Sequence, residues 1–160
     1  SFVRGASRAR AEWGFLHRLR DRWPHKLVVK GVQAPDDARR IKAAGADAIY
    51  VSNHGARQLN AAPPSIDSVA PIRAAIGDDM PLIVDGGVRS GEHVIKAIAS
   101  GADFVMIGRS AMYGLGANGA GGLSDIIDSF AREASSVIGL AGKTRMKDID
   151  ANCLAGAHGH

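Results

Sequence analysis

Pro81-Leu82-Ile83-Val84-Asp85-Gly86-Gly87-Val88-Arg89-Ser90-Gly91 is the stretch that decides the fold. A short apolar run ends on a carboxylate and two glycines follow. Ser90 then opens a segment whose Val94, Ile95 and Ile98 recur at helical spacing until Gly101. An uninterrupted apolar run suits a strand covered on both faces. Glycines between such a strand and a helix let backbone N–H groups approach an anion where the helix dipole favours it. The stretch therefore reads as strand, turn and helix, and the same unit recurs on both sides of it.

Upstream, Leu27-Val28-Val29-Lys30-Gly31 and Ala48-Ile49-Tyr50-Val51 read as two strands. The helix between them, over 35–44, opens on Pro35 and two acids and stops at Gly45. Another helix near 66–76 leads into Pro81. Downstream, Phe104-Val105-Met106-Ile107 is the fourth strand, closed by Gly108-Arg109, and an amphipathic segment from about Leu123 to Ile138 ends the regular structure. Trp13, Leu16 and Leu19 predict a helix over 11–22, ahead of Pro24. Residues 155–160 are expected to be a frayed tail. No low-complexity segment divides the chain, so residues 1–160 are read as part of one domain.

Four strand–helix units predict an α/β fold with a parallel sheet. A doubly wound sheet and a barrel both fit that order. The polar residues gathered at strand C-termini favour the barrel, whose site lies at that face. A complete (β/α)8 barrel takes about 250 residues, so a chain of 160 residues is expected to be the C-terminal half of one. A free half would expose two sheet edges and an open apolar interior. A partner is therefore expected: the N-terminal half, in the same gene product or in a second chain.

A content of 46% hydrophobic and 22% charged residues fits a folded core, not a disordered chain. The single cysteine, Cys153, excludes an internal disulfide, and no metal site is expected. The net charge of +4 is uneven, because Arg4, Arg8, Arg10, Arg18, Arg20 and Arg22 crowd the first stretch. That cluster suits either a solvated face or contact with anionic lipid headgroups. With 5% aromatic residues there is no stacking platform for nucleic acid. Neither a membrane-spanning run nor a secretory leader is recognisable, and the lone cysteine fits a reducing compartment, so a cytoplasmic location is expected.

Asp85 to Gly91 and Ile107-Gly108-Arg109-Ser110 are two successive glycine loops after strands. In barrels the loops after the last two strands commonly share a phosphate. Arg89 or Arg109 would add a charge-assisted grip. The two loops fix a phosphate, and the reaction is suggested by Ser52-Asn53-His54-Gly55-Ala56-Arg57-Gln58-Leu59, which follows the second strand into the same mouth. A histidine abstracts a proton near neutral pH, and an arginine holds a carboxylate by two hydrogen bonds. Lys30, ending an otherwise apolar strand, calls for an anionic or electron-rich partner.

Taken in order and spacing, these segments resemble the flavin mononucleotide (FMN)-dependent 2-hydroxy acid dehydrogenases and oxidases. The resemblance runs from about Trp13 to Ile149, and the stretch Leu19 to Lys26 looks most like the mandelate dehydrogenase branch. It implies that FMN is the cofactor, that His54 is the base, and that Arg57 binds the carboxylate of an (S)-2-hydroxy acid. Lys30 would sit near flavin N1 and O2, and Ser52 would also touch the flavin. Asp85, Gly86, Gly87, Val88, Arg89, Gly108 and Arg109 would hold the ribityl chain and phosphate. Residues 1–10 as the end of a mobile loop, a homo-oligomer such as a tetramer, and a peripheral contact with the inner face of the membrane are further implications. Ala56 stands where a second glycine is common and Asn60 where aspartate is, which bears on substrate preference and on His54 basicity. Tyr50 and Tyr113 are not expected to be the family's pocket tyrosines. Two alternatives remain: another phosphate-binding barrel of the nucleotide dehydrogenase or isomerase type, and an inactive structural half that needs a partner chain.

Overall fold

The computed structural model describes residues 12–57 and 59–154. The regions read as a mobile loop end and a frayed tail therefore lie outside the described residues. Helix α1 (Trp13–Arg22) is followed by β1 (Val28–Val32), α2 (Pro35–Ala43), β2 (Ala48–Val51), α3 (Ser65–Ile76), β3 (Leu82–Val84), α4 (Gly91–Ala99), β4 (Phe104–Val105) and α5 (Arg109–Leu140). Short 3-10 turns occupy His54–Ala56, Met146–Asp148 and Ala151–Cys153.

All strand pairs are parallel and lie in the order β1-β2-β3-β4. A doubly wound sheet reverses its strand order at a switch point, and no reversal occurs among the described residues. Right-handed crossovers that always step the same way put their helices on one face, which is the construction of a barrel. The fold is thus α/β, four units of a (β/α)8 barrel, as the sequence predicts.

Local chemistry explains the helices. Pro35 starts α2 with Asp36 and Asp37 in its first turn, and Arg40 and Lys42 lie in its last. This arrangement suits both proline's missing N–H and the helix dipole. Ser90 caps α4 by accepting the His93 N–H at 3.3 Å. The strand register sorts the side chains into two faces. Ile49, Val51, Leu82 and Val84 are buried against Ile41, Val69, Ile72 and Ile76 of the helices. The cross-strand row Lys30, Tyr50, Ile83 and Phe104 lies on the other face and is only partly covered. A smaller cluster joins Ile95 and Ala99 of α4 to Ala134 and Ile149, and Cys153 packs beside it as an ordinary core neighbour.

Two expectations need correction. Strand β1 does not end at Lys30: it continues to Val32 through a bulge, with Gly31 at φ 93°. The bulge shifts the register without breaking the pairing, and a glycine tolerates that backbone. The last helix is also longer than the segment near Leu123–Ile138. It begins at Arg109 and reverses at Asn118–Gly119, where Gly119 takes φ 55°. Its two arms touch at Gly114 and Gly122, where a Cβ on either would overlap the other's backbone carbonyl. Those glycines permit close packing of helical backbones. Among the described residues no helix is long and apolar enough to cross a membrane.

Candidate functional site

The C-terminal ends of the four strands converge on a cleft of about 320 Å³. Lys30 from β1, His54 and Arg57 after β2, Asp85 to Arg89 after β3, and Gly108 and Arg109 after β4 all line it. Ser52 does not line the cleft but bonds to residues that do. Gly55, Met106, Ile107 and Met112 also line it, and sequence reasoning did not assign them to the site.

Lys30 finds the partner its position calls for. Its Nζ donates to Asp85 Oδ2 at 2.7 Å and to Ser52 Oγ at 2.8 Å, and sits 4.1 Å from the centroid of the Tyr50 ring. The Tyr50 hydroxyl donates to the same Asp85 Oδ2 at 2.9 Å. Alternation along parallel strands produces this cluster, since Lys30 pairs with Tyr50, and Ser52 and Asp85 each stand two residues beyond that row. With 42% of the Lys30 side chain exposed, the ion pair is partly screened and does more to orient than to stabilise. Burial raises the Asp85 carboxyl pKa, but hydrogen bonds from Lys30, Ser52 and Tyr50 outweigh it and hold the group below its ordinary value. Burial, reinforced by Asp85, pushes the Tyr50 phenol well above its usual range. Tyr50 is the participant the sequence reading missed. No local pattern could have found it, because the β1–β2 register is what sets Tyr50 opposite Lys30.

The catalytic-type segment is an unusual turn. Asn53 Oδ1 accepts the Gly55 N–H at 3.0 Å, and Ser52 Oγ accepts the His54 N–H at 3.1 Å. His54, Gly55 and Ala56 all take left-handed φ values, of 58°, 64° and 61°. His54 and Arg57 are exposed at the cleft. The loops beneath are knitted together, because Asn53 N–H donates to Ser65 Oγ at 2.9 Å and Gly86 lies against that hydroxyl without room for a Cβ.

The two glycine loops also meet, as Ser110 Oγ donates to the Val88 carbonyl at 3.1 Å. Gly86 and Gly87 take φ values of 99° and 79°. Gly108 precedes the first residue of α5, so the N-terminus of that helix opens on the cleft. No atom stands within 4 Å of a Cβ built at Gly87 or Gly108, which leaves their backbone accessible to a ligand. Asp85 Oδ1 is buried with no partner among the described residues. An open anion-binding helix terminus, two arginines and an acceptor awaiting a donor suit a ligand carrying a phosphate and hydroxyls.

A family model described as FMN-dependent dehydrogenase matches residues 1–156. The chain belongs to the FMN-dependent dehydrogenase family. It is 41% identical over 145 residues to an L-lactate dehydrogenase of Pseudomonas syringae, covering 91% of this chain and 38% of that protein. With an L-lactate oxidase of Alicycliphilus denitrificans it shares 40% identity over 150 residues, covering 94% of this chain and 41% of the oxidase. Among solved structures, the monotopic membrane protein (S)-mandelate dehydrogenase superposes with a TM-score of 0.86 at 36% identity, covering 90% of this chain and 38% of that one. A mandelate oxidase with (S)-2-phenylpropionate gives 0.82 at 40% identity, covering 87% and 42%. The chain thus spans roughly two fifths of these FMN-dependent dehydrogenase relatives. The expected family is correct, and membership sets aside the nucleotide-barrel alternative.

Proposed function

We propose that this chain is the FMN-binding and catalytic C-terminal half of an enzyme that oxidises an (S)-2-hydroxy acid to the 2-oxo acid. One observation carries the reading: Lys30, His54, Arg57 and both glycine loops line a single cleft. The bound flavin would accept the α-hydrogen's electrons. His54 removes a proton from the substrate, and its exposure at the cleft leaves the imidazole free to do so. Arg57 holds the substrate carboxylate by a two-pronged grip that fixes the α-carbon. Arg89 and Arg109, with the backbone at Gly87 and Gly108 and the N-terminus of α5, take the phosphate. Asp85 Oδ1, which has no partner among the described residues, would accept from a ribityl hydroxyl, and Lys30, held by Ser52, would supply positive charge that stabilises the reduced flavin.

The remainder of the barrel, from the same gene product or a second chain, completes the site. The substrate is a small 2-hydroxy acid of the lactate or mandelate type, and we favour an aromatic one. The cytoplasm, at the inner membrane face, is the location that suits the reading.

The test is the visible spectrum of the complete protein, followed by anaerobic addition of (S)-mandelate and of (S)-lactate. Bleaching of a flavin spectrum by either acid is expected, and a protein that neither carries nor takes up FMN would refute the reading. His54→Ala is expected to keep FMN and lose substrate reduction of it. Arg57→Lys should mainly raise KM, because an ammonium cannot reproduce the planar fork. Titrating both variants with the acid that bleaches the parent separates the two effects.

A further inference from the structure

We infer that Tyr50 is a positioning residue, fixing the Lys30–Asp85 pair and so setting the charge that the pair presents to the cleft. The flavin part of this inference rests on the proposed function. The placement of the pair does not.

Tyr50 holds both partners at once. Its ring lies under the Lys30 ammonium at 4.1 Å, an attractive cation–π distance, and its hydroxyl donates to the oxygen that Lys30 also binds. An ammonium on a flexible stem has many positions available. Here the tyrosine face limits it on one side while Ser52 and Asp85 hold its protons. The hydroxyl has a second effect: its positive end offsets part of the negative charge on Asp85 Oδ2. Without it the carboxylate would draw more fully on Lys30, and less positive potential would reach the cleft. Both consequences of losing the hydroxyl have the same sign, because each makes an acquired negative charge in the cleft less favourable. Strand geometry fixes the arrangement, since β1 and β2 pair Lys30 directly with Tyr50. Ser52 also bonds to both members, but among the described residues only Tyr50 adds an aromatic face to its hydrogen bond.

Tyr50→Phe separates the two contributions, because it keeps the ring and removes one oxygen atom. Tyr50→Leu removes both. In the complete FMN-loaded enzyme, Tyr50→Phe is expected to lower the flavin midpoint potential and to weaken sulfite binding to the flavin by roughly three- to tenfold, the scale of one hydrogen bond to a charged group passed on in part. Tyr50→Leu is expected to do more of both. FMN affinity should stay close to the parent's, since Tyr50 does not line the cleft. A residue that only packs the strand would leave potential and sulfite affinity unchanged in Tyr50→Phe, and that outcome overturns the inference.

In the flavin-free protein the Asp85 carboxyl, followed by NMR against pH, should titrate closer to an ordinary aspartate in Tyr50→Phe than in the parent. An unmoved titration overturns the placement of the pair even if no flavin binds. Failure to bind FMN with a shifted titration instead removes the proposed function and leaves the positioning intact.

Discussion

Three consecutive left-handed residues, His54, Gly55 and Ala56, bring the candidate base to the cleft. Two of the three carry a Cβ, and an L-residue in that region loses about 1–2 kcal/mol to the clash between Cβ and the carbonyl. The Asn53 and Ser52 side chains hold the turn closed against that cost. Ala56→Gly should relieve the strain, less the ~0.4–1 kcal/mol that a glycine gives back in the unfolded chain. The expected net gain is a few tenths to about 1 kcal/mol, read as a higher denaturant midpoint at unchanged m-value. Gly55→Ala should do the reverse and lose about 1 kcal/mol through backbone strain alone, because nothing stands within 4 Å of the added methyl. The residue types at this scale were legible in the sequence, including Ala56 as a departure from glycine. Their backbone angles were not, because φ is set by how the turn is pinned at both ends.

Between elements, close backbone approach decides what sequence composition disguises. Gly91, the first residue of α4, leaves no room for a Cβ against the Phe130 carbonyl and the Ala134 nitrogen of α5, and its N–H donates to Glu133 at 2.7 Å. Gly91→Ala must therefore push two helices apart, and we expect a loss of about 1–3 kcal/mol by thermal or denaturant unfolding. Asp47 plays the electrostatic counterpart at the start of β2. It accepts from Lys26 at 2.8 Å, Leu27 N–H at 2.9 Å and Arg20 at 3.0 Å, tying α1 and the β1 entry together. The Lys26 and Leu27 hydrogen bonds, the largest causes, lower its pKa to about 2. Because the folded value lies below the unfolded one, this contribution is complete above about pH 4 and fades as the pH falls through about 2. Asp47→Asn should be less stable at neutral pH and show a shallower loss of stability over that acid window, measured by denaturation at a series of pH values. Arg20, read from the sequence as part of a basic run, is thus engaged in structure. Helices α1 to α4 were predicted within a residue or two. The first arm of α5 was not, since Gly114 and Gly122 look like loop residues until each is seen beside the other.

At the scale of the whole molecule, four barrel units leave β1 and β4 as sheet edges with no further strand among the described residues. Val28, Phe104 and Met106 are 45%, 59% and 40% exposed. Unpaired edges and open apolar strand faces invite association. Produced alone, the chain should self-associate, and co-expression with the remaining part of the barrel should convert it to a defined complex, with light scattering distinguishing the two. A monodisperse monomer of the chain alone would count against the half-barrel reading. The sequence by itself determined the α/β alternation, the glycine loops, the place of the His54–Arg57 segment after the second strand and the family, because each depends on local pattern, turn chemistry or residue identity at fixed spacing. Tertiary structure alone decided that Tyr50 and Asp85 share Lys30, that Gly31 bulges β1, and that the glycines of α5 bring its arms together. Those depend on strand register and on backbone distances between residues far apart in the chain, and no local pattern encodes either.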